Sequence, residues 1–441
     1  ILYYPGDDVE EEKCELYDIA SYANKMTSLE TIYWSCINLK RLNCLKFLTN
    51  LKSLNLTDCY YIYDIRALSE LTNLTRLGMI GCSRPNWDVL TNLKNLKALI
   101  TDSDNLNPKI ISQLTKLKTL SLKVSNLNMS EYLENLTNLT ELYFENIKEF
   151  KNEYILTKMT KLIILRLSDT PIKNLDLIEK LTNLKKLILC NNEKLINLNG
   201  IEKLTKLIIL NLENCPNLQD FNFLSNLKNL KILNLSSNSI GDAGAKAIAK
   251  ALKENDTLEE LHLNKCNIGD EGAISLAESI SENTSLTSLL LNDNHITSFG
   301  AVAIAKCCKS NTNKLKHIQL ARNNLEFSER KDGKKQDDED SLEVKLFLAV
   351  DNRDYTEALL LMLDGANPNI QNDTDGKTPL HIAAISGDIA LLELLLSNPK
   401  IDKDAQDDRG TTPIYCALEN HQYKAVNILL QHKVNMKCYN Q

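Results

Sequence analysis

The sequence predicts two stacked-repeat architectures in one chain: an α/β solenoid with a curved parallel β-sheet on its concave face, followed by an all-α solenoid of helix pairs. Three observations predict it. A frame L-x-x-L-x-L, with another residue in place of a leucine in the copies at 29, 74, 96, 139 and 315, recurs thirteen times, starting at positions 29, 51, 74, 96, 117, 139, 162, 184, 207, 230, 258, 286 and 315. The spacing holds at 21 to 23 residues as far as 230 and then lengthens to 28 or 29. Over the last hundred residues a different phrase, T-P-[LI], takes over and recurs at an interval of 34.

The alternation inside each frame is that of a half-buried strand, with the second and third leucines on one side and the residues around them on the other. The ninth frame position is Asn at 192, 238, 294 and 323 and Cys at 59, 82, 215 and 266, where the side chain can hydrogen-bond the turn backbone of neighbouring coils. Frames such as LKSLNLTDC from Leu51 and LKILNLSSN from Leu230 resemble the leucine-rich-repeat family. The shorter units, with their LTNL phrasing, resemble bacterial internalin-type repeats and leave room only for a turn or a short 3₁₀ segment opposite the strand. The longer ones insert GDAGAKAIAKALKEN, GDEGAISLAESISEN and SFGAVAIAKCCKSN, which have helical spacing and resemble ribonuclease-inhibitor repeats.

From Glu326 to Ser341 seven acids and four bases interrupt the apolar pattern, which predicts a solvated linker between separable arrays. Beyond it, DGKTPLHIAAISGDIALLELLLSNPKIDKDAQ from Asp375 resembles an ankyrin repeat, with weaker copies 34 residues to either side. The resemblance implies that Thr378 and Pro379 open a helix, that Ala383 and Ala384 allow close helix packing, and that Gly387 ends it, with Arg353 and His421 standing at that place in the outer units. The organisation expected is a cap or partial repeat at 1–28, short leucine-rich repeats at 29–240, ribonuclease-inhibitor-like repeats at 241–325, a charged linker at 326–341 and three ankyrin repeats at 342–441. The fold class is therefore an α/β leucine-rich-repeat solenoid plus an all-α ankyrin-repeat solenoid.

With 43% hydrophobic and 25% charged residues the 441-residue chain has the balance of a folded protein. A net charge of −7 gives no electrostatic footprint for nucleic acid. Without an apolar run of membrane-spanning length or a signal segment, no membrane insertion is expected. The chain opens on Ile1, which is compatible with a removed leader or a shortened chain. Twelve cysteines without a CxxC pair fit reduced thiols and a cytoplasmic setting, or a host cytosol for a secreted protein. The sequons at Asn73 and Asn138 fall inside the recurring LTNLT phrase, so no glycan is expected on them.

No phosphate loop, nucleophile elbow, H-E-x-x-H helix or kinase motif set occurs, so neither catalytic residues nor cofactor or metal ligands are assigned. His381 belongs to the TPLH turn, and His262 and His317 fall on outward strand positions without matching ligands. The Gly-Asp pairs at 241 and 269 precede helices and are explained by the repeat rather than by phosphate. Of Cys307 and Cys308, one should pack inward and the other lie near the surface.

The repeat families imply a non-catalytic protein-interaction scaffold, with partners of unknown identity and open oligomeric state. Mixed modules of this kind suggest a host-directed microbial effector; the alternative is a catalytic regulator such as a GTPase-activating protein, or the targeting part of a ubiquitin ligase. Candidate partner-binding residues on the concave strand face are Glu141, Tyr143, Ile164, Arg166, Lys186, Ile188, Ile209, Asn211, Ile232 and Asn234. On the ankyrin loops they are Lys377, Arg409 and Tyr415, with Asp373, Asp375 and Asp407 expected to be exposed beside them.

Overall fold

The computed structural model describes residues 2–4, 28–35, 41–82, 85–103, 106–123, 133–148, 153–218, 221–308, 314–326 and 341–434. It divides into two compact units, Ile1–Leu218 and Gln219–Gln441.

In the first unit each frame carries a strand beginning two residues into it: β2 (Thr31–Ser35), β3 (Ser53–Thr57), β4 (Arg76–Ile80), β5 (Ala98–Thr101), β6 (Thr119–Lys123), β7 (Glu141–Glu145), β8 (Ile164–Ser168), β9 (Lys186–Ile188) and β10 (Ile209–Asn211). Consecutive strands pair in parallel and in one register, so Leu142, Leu165, Leu187 and Leu210 stand side by side and fully buried. An additional strand, β1 (Leu2–Tyr4), pairs in parallel with β2. It lies in the expected N-terminal cap and has no leucine frame to announce it. Opposite the strands the short units form 3₁₀ segments, as at Asn43–Phe47, Arg66–Glu70 and Trp87–Asn92, and one short helix, α1 (Pro108–Ile111).

The LTNL phrase has a structural explanation. Asn73, Asn95, Asn138 and Asn183 each donate a side-chain hydrogen bond to a carbonyl of the preceding coil, at Thr49, Thr72, Thr115 and Thr160 respectively, over 3.0 to 3.2 Å. The amide nitrogens of both sequons are thus engaged between coils.

The second unit opens with β11 (Ile232–Asn234), β12 (Glu260–His262), β13 (Ser288–Leu290) and β14 (His317–Gln319), again parallel and in register. The longer inserts fold into α2 (Gly241–Glu254), α3 (Asp270–Glu282) and α4 (Ser298–Cys308). The Gly-Asp pairs are interhelical caps: Asp242 Oδ1 accepts from the backbone N–H groups of Gly269 and Gly272, at 2.8 and 2.9 Å. Asp270 does the same for Thr297 and Gly300, so each helix start is satisfied by the carboxylate of the previous one. A Cβ on Gly272 would lie 2.7 Å from Asp242 Oδ1, which is why glycine stands there.

The ninth-position side chains fill the role expected of them. Asn294 Nδ2 donates to the carbonyls of Leu263 and Leu291, at 2.8 and 2.9 Å, while its Oδ1 accepts from the N–H groups of Cys266 and Ile268. Asn192 and Asn323 make corresponding bonds. Where Cys replaces Asn, the thiol points at the same kind of acceptor: Cys215 Sγ lies 3.0 Å from Leu189 O and Cys266 Sγ 3.3 Å from Leu235 O. Burial pushes both thiols up to about 12, so they remain protonated.

The eighth position is left-handed at Asp58, Gly81, Asn146, Asp169, Asn191, Asn214, Ser237, Lys265, Asp293 and Arg322. That is the residue that turns the chain out of the strand, and Asp, Asn and Gly tolerate it best. A second asparagine ladder joins the helix-to-strand turns: Asn283 Nδ2 donates to Leu252 O and Asn255 O, and Asn255 receives the N–H groups of Thr257 and Leu258. Its sequence signal is the pair of E-N-x-[TS]-L phrases at 254 and 282.

Three helix pairs complete the unit: α5 (Leu342–Asp351) with α6 (Tyr355–Leu363), α7 (Pro379–Ser386) with α8 (Ile389–Leu396), and α9 (Pro413–Glu419) with α10 (Tyr423–Gln431). Thr378 caps α7 in a reciprocal box with His381, Ala383 and Ala384 are fully buried, and Gly387 ends the helix at φ +64°. Arg353 and His421 adopt the same left-handed turn at φ +58° and +57° without being glycine. The charged segment lies, from 327 to 340, outside the described residues, as does the side chain of Cys308; Cys307 is buried.

Two outcomes test this account. Asn294→Leu takes the partner from the Leu263 carbonyl and from the Cys266 and Ile268 N–H groups, while Leu291 O keeps Asn323, and should cost about 3 kcal/mol or more in urea unfolding. His381 is buried, its Nδ1 accepting from the Thr378 N–H at 3.1 Å and its Nε2 facing Thr411 O at 2.9 Å. Burial lowers its pKa from the ordinary 6.5, against the opposing pull of Thr411 O and Asp407. The unfolded chain then binds the proton first, so the stabilisation is complete above pH 6.5 and is lost as pH falls through the lower folded value. The urea midpoint of the ankyrin repeats should decline from pH 7.5 to pH 5, and less steeply in His381→Gln.

Candidate protein-binding surfaces

The ten candidate residues flanking the second frame leucine between Glu141 and Asn234 are all half-buried. In the first unit the register sets Glu141 beside Ile164, Ile164 beside Lys186 and Lys186 beside Ile209 in one row, and Tyr143, Arg166, Ile188 and Asn211 in the next. Ile188 therefore sits diagonal to both Ile164 and Ile209, between Arg166 and Asn211 in its own row, while Lys186 stands between the other two isoleucines. The second unit holds Ile232 and Asn234 in equivalent outward positions.

The polar members of the group are already partly committed. Glu141 Oε2 accepts from Thr119 Oγ1 at 3.1 Å and from the Tyr143 hydroxyl at 3.4 Å. Burial, reinforced by the Glu141 carboxylate, raises the Tyr143 phenol above its usual value, so it stays a neutral donor. Arg166 pairs with Glu145 at 2.9 Å and donates from Nε to Ser168 Oγ at 3.1 Å. Asn211 and Asn234 accept from the backbone N–H two residues on, at Glu213 and Ser236, so their oxygens are spent on the turn that ends each strand.

The ankyrin candidates divide. Arg409 is exposed and Tyr415 half-buried. Lys377, in contrast, is enclosed, with a side chain 16% exposed that bonds Asp375 at 2.5 Å and lies 3.6 Å from Asp407. Asp407 itself is not exposed as expected: its side chain is 3% accessible and its Oδ1 accepts from the N–H groups of Arg409 and Thr411. The turn uses these charges to hold its own backbone, which places Lys377 and Asp407 in the framework and leaves Asp373, Arg409 and Tyr415 as the outward features. On the strands, His262 lies 3.5 Å from Glu260 and His317 is exposed, and among the described residues no cluster of three His, Cys, Asp or Glu side chains has the arrangement of a metal site.

A surface not singled out from the sequence lies on the flank of the first unit. Tyr60, Tyr61 and Tyr63 are each more than half exposed, and Tyr63 receives a 2.6 Å hydrogen bond from Arg41 Nε. Beside them a groove of about 620 Å³ is lined by Tyr63, Asp64, Arg66, Asn86 and Asp88. Hydrogen bonds from Arg66 hold the Asp64 carboxyl down at about 2. The run C-Y-Y-I-Y from Cys59 was the available signal, three tyrosines in four residues following a strand.

Comparison with known proteins agrees with the geometry. Ankyrin repeats, three copies, match residues 346–440, and the leucine-rich repeat matches 226–249, 254–277 and 282–305. The chain thus carries leucine-rich repeats followed by ankyrin repeats, modules typical of protein–protein interaction. Among solved structures it is similar to an internalin from Listeria monocytogenes, with a TM-score of 0.55 at 24% identity over 70% of this chain and 90% of that one, a likeness of fold. Its ankyrin part is 36% identical to mouse Rabankyrin-5 over 69 residues, 16% of this chain and 6% of that protein. It is also 33% identical to a putative ankyrin repeat protein of fowlpox virus over 95 residues, 21% of this chain and 28% of the relative. The chain spans only a small part of either relative. Among the described residues no helix is long and apolar enough to cross a membrane.

The enclosure of Lys377 gives a direct test. Lys377→Glu would set a third carboxylate beside Asp375 and Asp407 and should lower the unfolding midpoint by several degrees. Arg409→Glu, at an exposed site, should leave it within about 0.5 kcal/mol of the parent.

Proposed function

We propose that the protein is a non-catalytic scaffold or adaptor that captures intracellular protein partners, with the strand face of its leucine-rich repeats as the principal contact surface and the ankyrin loops around Arg409 and Tyr415 as a second one. The observation that carries this reading is the outward cluster of Ile164, Ile188 and Ile209, with Tyr143 and the ion-paired Arg166 on its border. An apolar centre with a polar rim containing Tyr and Arg is the composition of contact sites whose energy is concentrated in few residues. Rigid positioning favours it further, because side chains fixed by strand register lose little entropy when a partner docks.

A cytoplasmic setting, or a host cytosol, suits buried protonated thiols such as Cys44 and Cys416, both pushed up to about 11 by burial. The combination of internalin-like, ribonuclease-inhibitor-like and ankyrin modules favours a host-directed role. Expression of the chain in host cells, followed by comparison of captured proteins with those from the microbial cytosol, tests that part.

The double variant Ile188→Glu/Ile209→Glu tests the surface. These side chains are half-buried at most, so unfolding should shift by about 1 kcal/mol in total. Affinity for captured partners should fall at least a hundredfold, as expected when a contact centre receives two unpaired charges. A variant that stays folded and binds the same partners with parental affinity removes this face from the interaction. Acceleration of GTP hydrolysis by a small GTPase would instead make the protein a catalytic regulator.

A further inference from the structure

The last strand of a parallel solenoid poses a chemical problem that its predecessors do not. Immediately after each strand of the second unit one backbone N–H reaches across to the next strand: Leu235 to His262 O at 2.9 Å, Leu263 to Leu290 O at 2.8 Å, and Leu291 to Gln319 O at 2.8 Å. Leu320 occupies the same position after β14. Its N–H is met, at 2.9 Å, by the hydroxyl of Tyr355, the first residue of α6. Tyr355 is only 7% exposed, and α6 packs against both β14 and α4.

A second contact repeats the substitution. In the left-handed turn position the N–H groups of Ser237, Lys265 and Asp293 bond to the following coil at Asn264, Asn292 and Ala321. At Arg322, the next such position, the link forward is made by the side chain. Its Nε and Nη2 clasp Asp293 of the preceding coil at 2.6 and 2.7 Å, and its Nη1 donates to Glu393 on α8 at 2.6 Å. Glu393 is 71 residues away in sequence and its side chain is 16% exposed.

We infer that the ankyrin repeats are the C-terminal cap of the leucine-rich-repeat sheet, standing where the next coil would stand and joined to it through Tyr355 and Glu393. An uncapped parallel edge would expose both its leucine core and a row of backbone donors and acceptors, an invitation to pairing with another chain. Here the hydroxyl of one tyrosine replaces a strand carbonyl, and a three-group ion pair replaces the backbone link. The arrays are then coupled across a packed interface whatever the conformation of the charged segment between them, which refines the expectation of separable folding units: cleavage between 327 and 340 leaves the two parts associated.

Hydrogen exchange on the full chain tests this. Tyr355→Phe keeps the ring and removes the acceptor, so the Leu320 amide should exchange at least tenfold faster while amides of the first unit are unchanged. Glu393→Gln, which keeps the shape and removes the charge, should accelerate exchange in 314–324 further when combined with it. In Tyr355→Asp, which expels α6 from the edge, protection should fall through β13 and β14 together and thermal unfolding should divide into two transitions. Parental protection at Leu320 in Tyr355→Phe, together with undiminished protection of β13 and β14 in Tyr355→Asp, overturns the capping role. So does dissociation of the two parts after cleavage between 327 and 340 under native conditions.

Discussion

Everything in this protein depends on one constraint: a coil of 21 to 29 residues cannot satisfy its own backbone or bury its own leucines, and must be completed by the coil beside it. The strand N–H and C=O groups find partners only in parallel register, and the same register aligns the leucines. Because neighbouring coils share one repeat length, a single solution propagates. The turns are the weak point, since their peptide groups face the core and have no ladder of their own. Asn192, Asn294 and Asn323 resolve this by bonding two coils at once, offering an amide to carbonyls and an oxygen to N–H groups. Cys215 and Cys266 keep the volume and one weak donor, but lose the acceptor. The Cys266 N–H is itself taken by Asn294 of the following coil, as the Thr170 N–H is by Asn192.

The same logic, one coil completing the next, reappears with different chemistry on the opposite side of the second unit and in the ankyrin repeats. Asp242 and Asp270 cap the helix of the succeeding coil rather than their own. His381 closes the start of its own helix through Thr378 and reaches into the next repeat through Thr411 O. Asp407 receives two N–H groups of its loop while Lys377 of the preceding loop neutralises it. Charged residues in these loops are therefore poor guides to binding, because the most regular of them are spent on architecture. What remains for recognition is the set of side chains that the register presents and no neighbour consumes.

On the strand face that distinction is sharp. Glu145 and Arg166 satisfy each other, and Asn211 and Asn234 hold the chain as it leaves the strand. The isoleucines at 164, 188 and 209 have no such structural partner in the core, which is filled by the leucines on the other side of the same strands. A β-branched residue suits a strand wherever it points. Three of them stand on adjoining strands, with Ile188 diagonal to Ile164 and Ile209 and Lys186 in the row between those two.

The leucine frames alone determined the strands β2 to β14, their inward faces and, within each unit, their order, because periodic burial is a local property of a repeating chain. The TPLH phrase at 378, its TPIY copy at 412 and the 34-residue spacing similarly marked the helix pairs, and the ninth-position Asn and Cys announced their ladder. Strand β1 was not legible, since a terminal strand can be completed by backbone pairing to β2 without a leucine frame. Nor was the enclosure of Lys377 and Asp407, for a charge in a loop reads as solvated until the neighbouring loop is placed against it. The outward rows could be named from the alternation, yet only the tertiary structure decided which of their members were consumed by Glu145, Ser168 or the backbone. It alone placed Tyr355 on the N–H of Leu320 and Glu393 on Arg322, contacts spanning 35 and 71 residues. Repetition encodes what each coil owes its neighbour, but where the repetition stops the sequence carries no period, and the partner is chosen by packing.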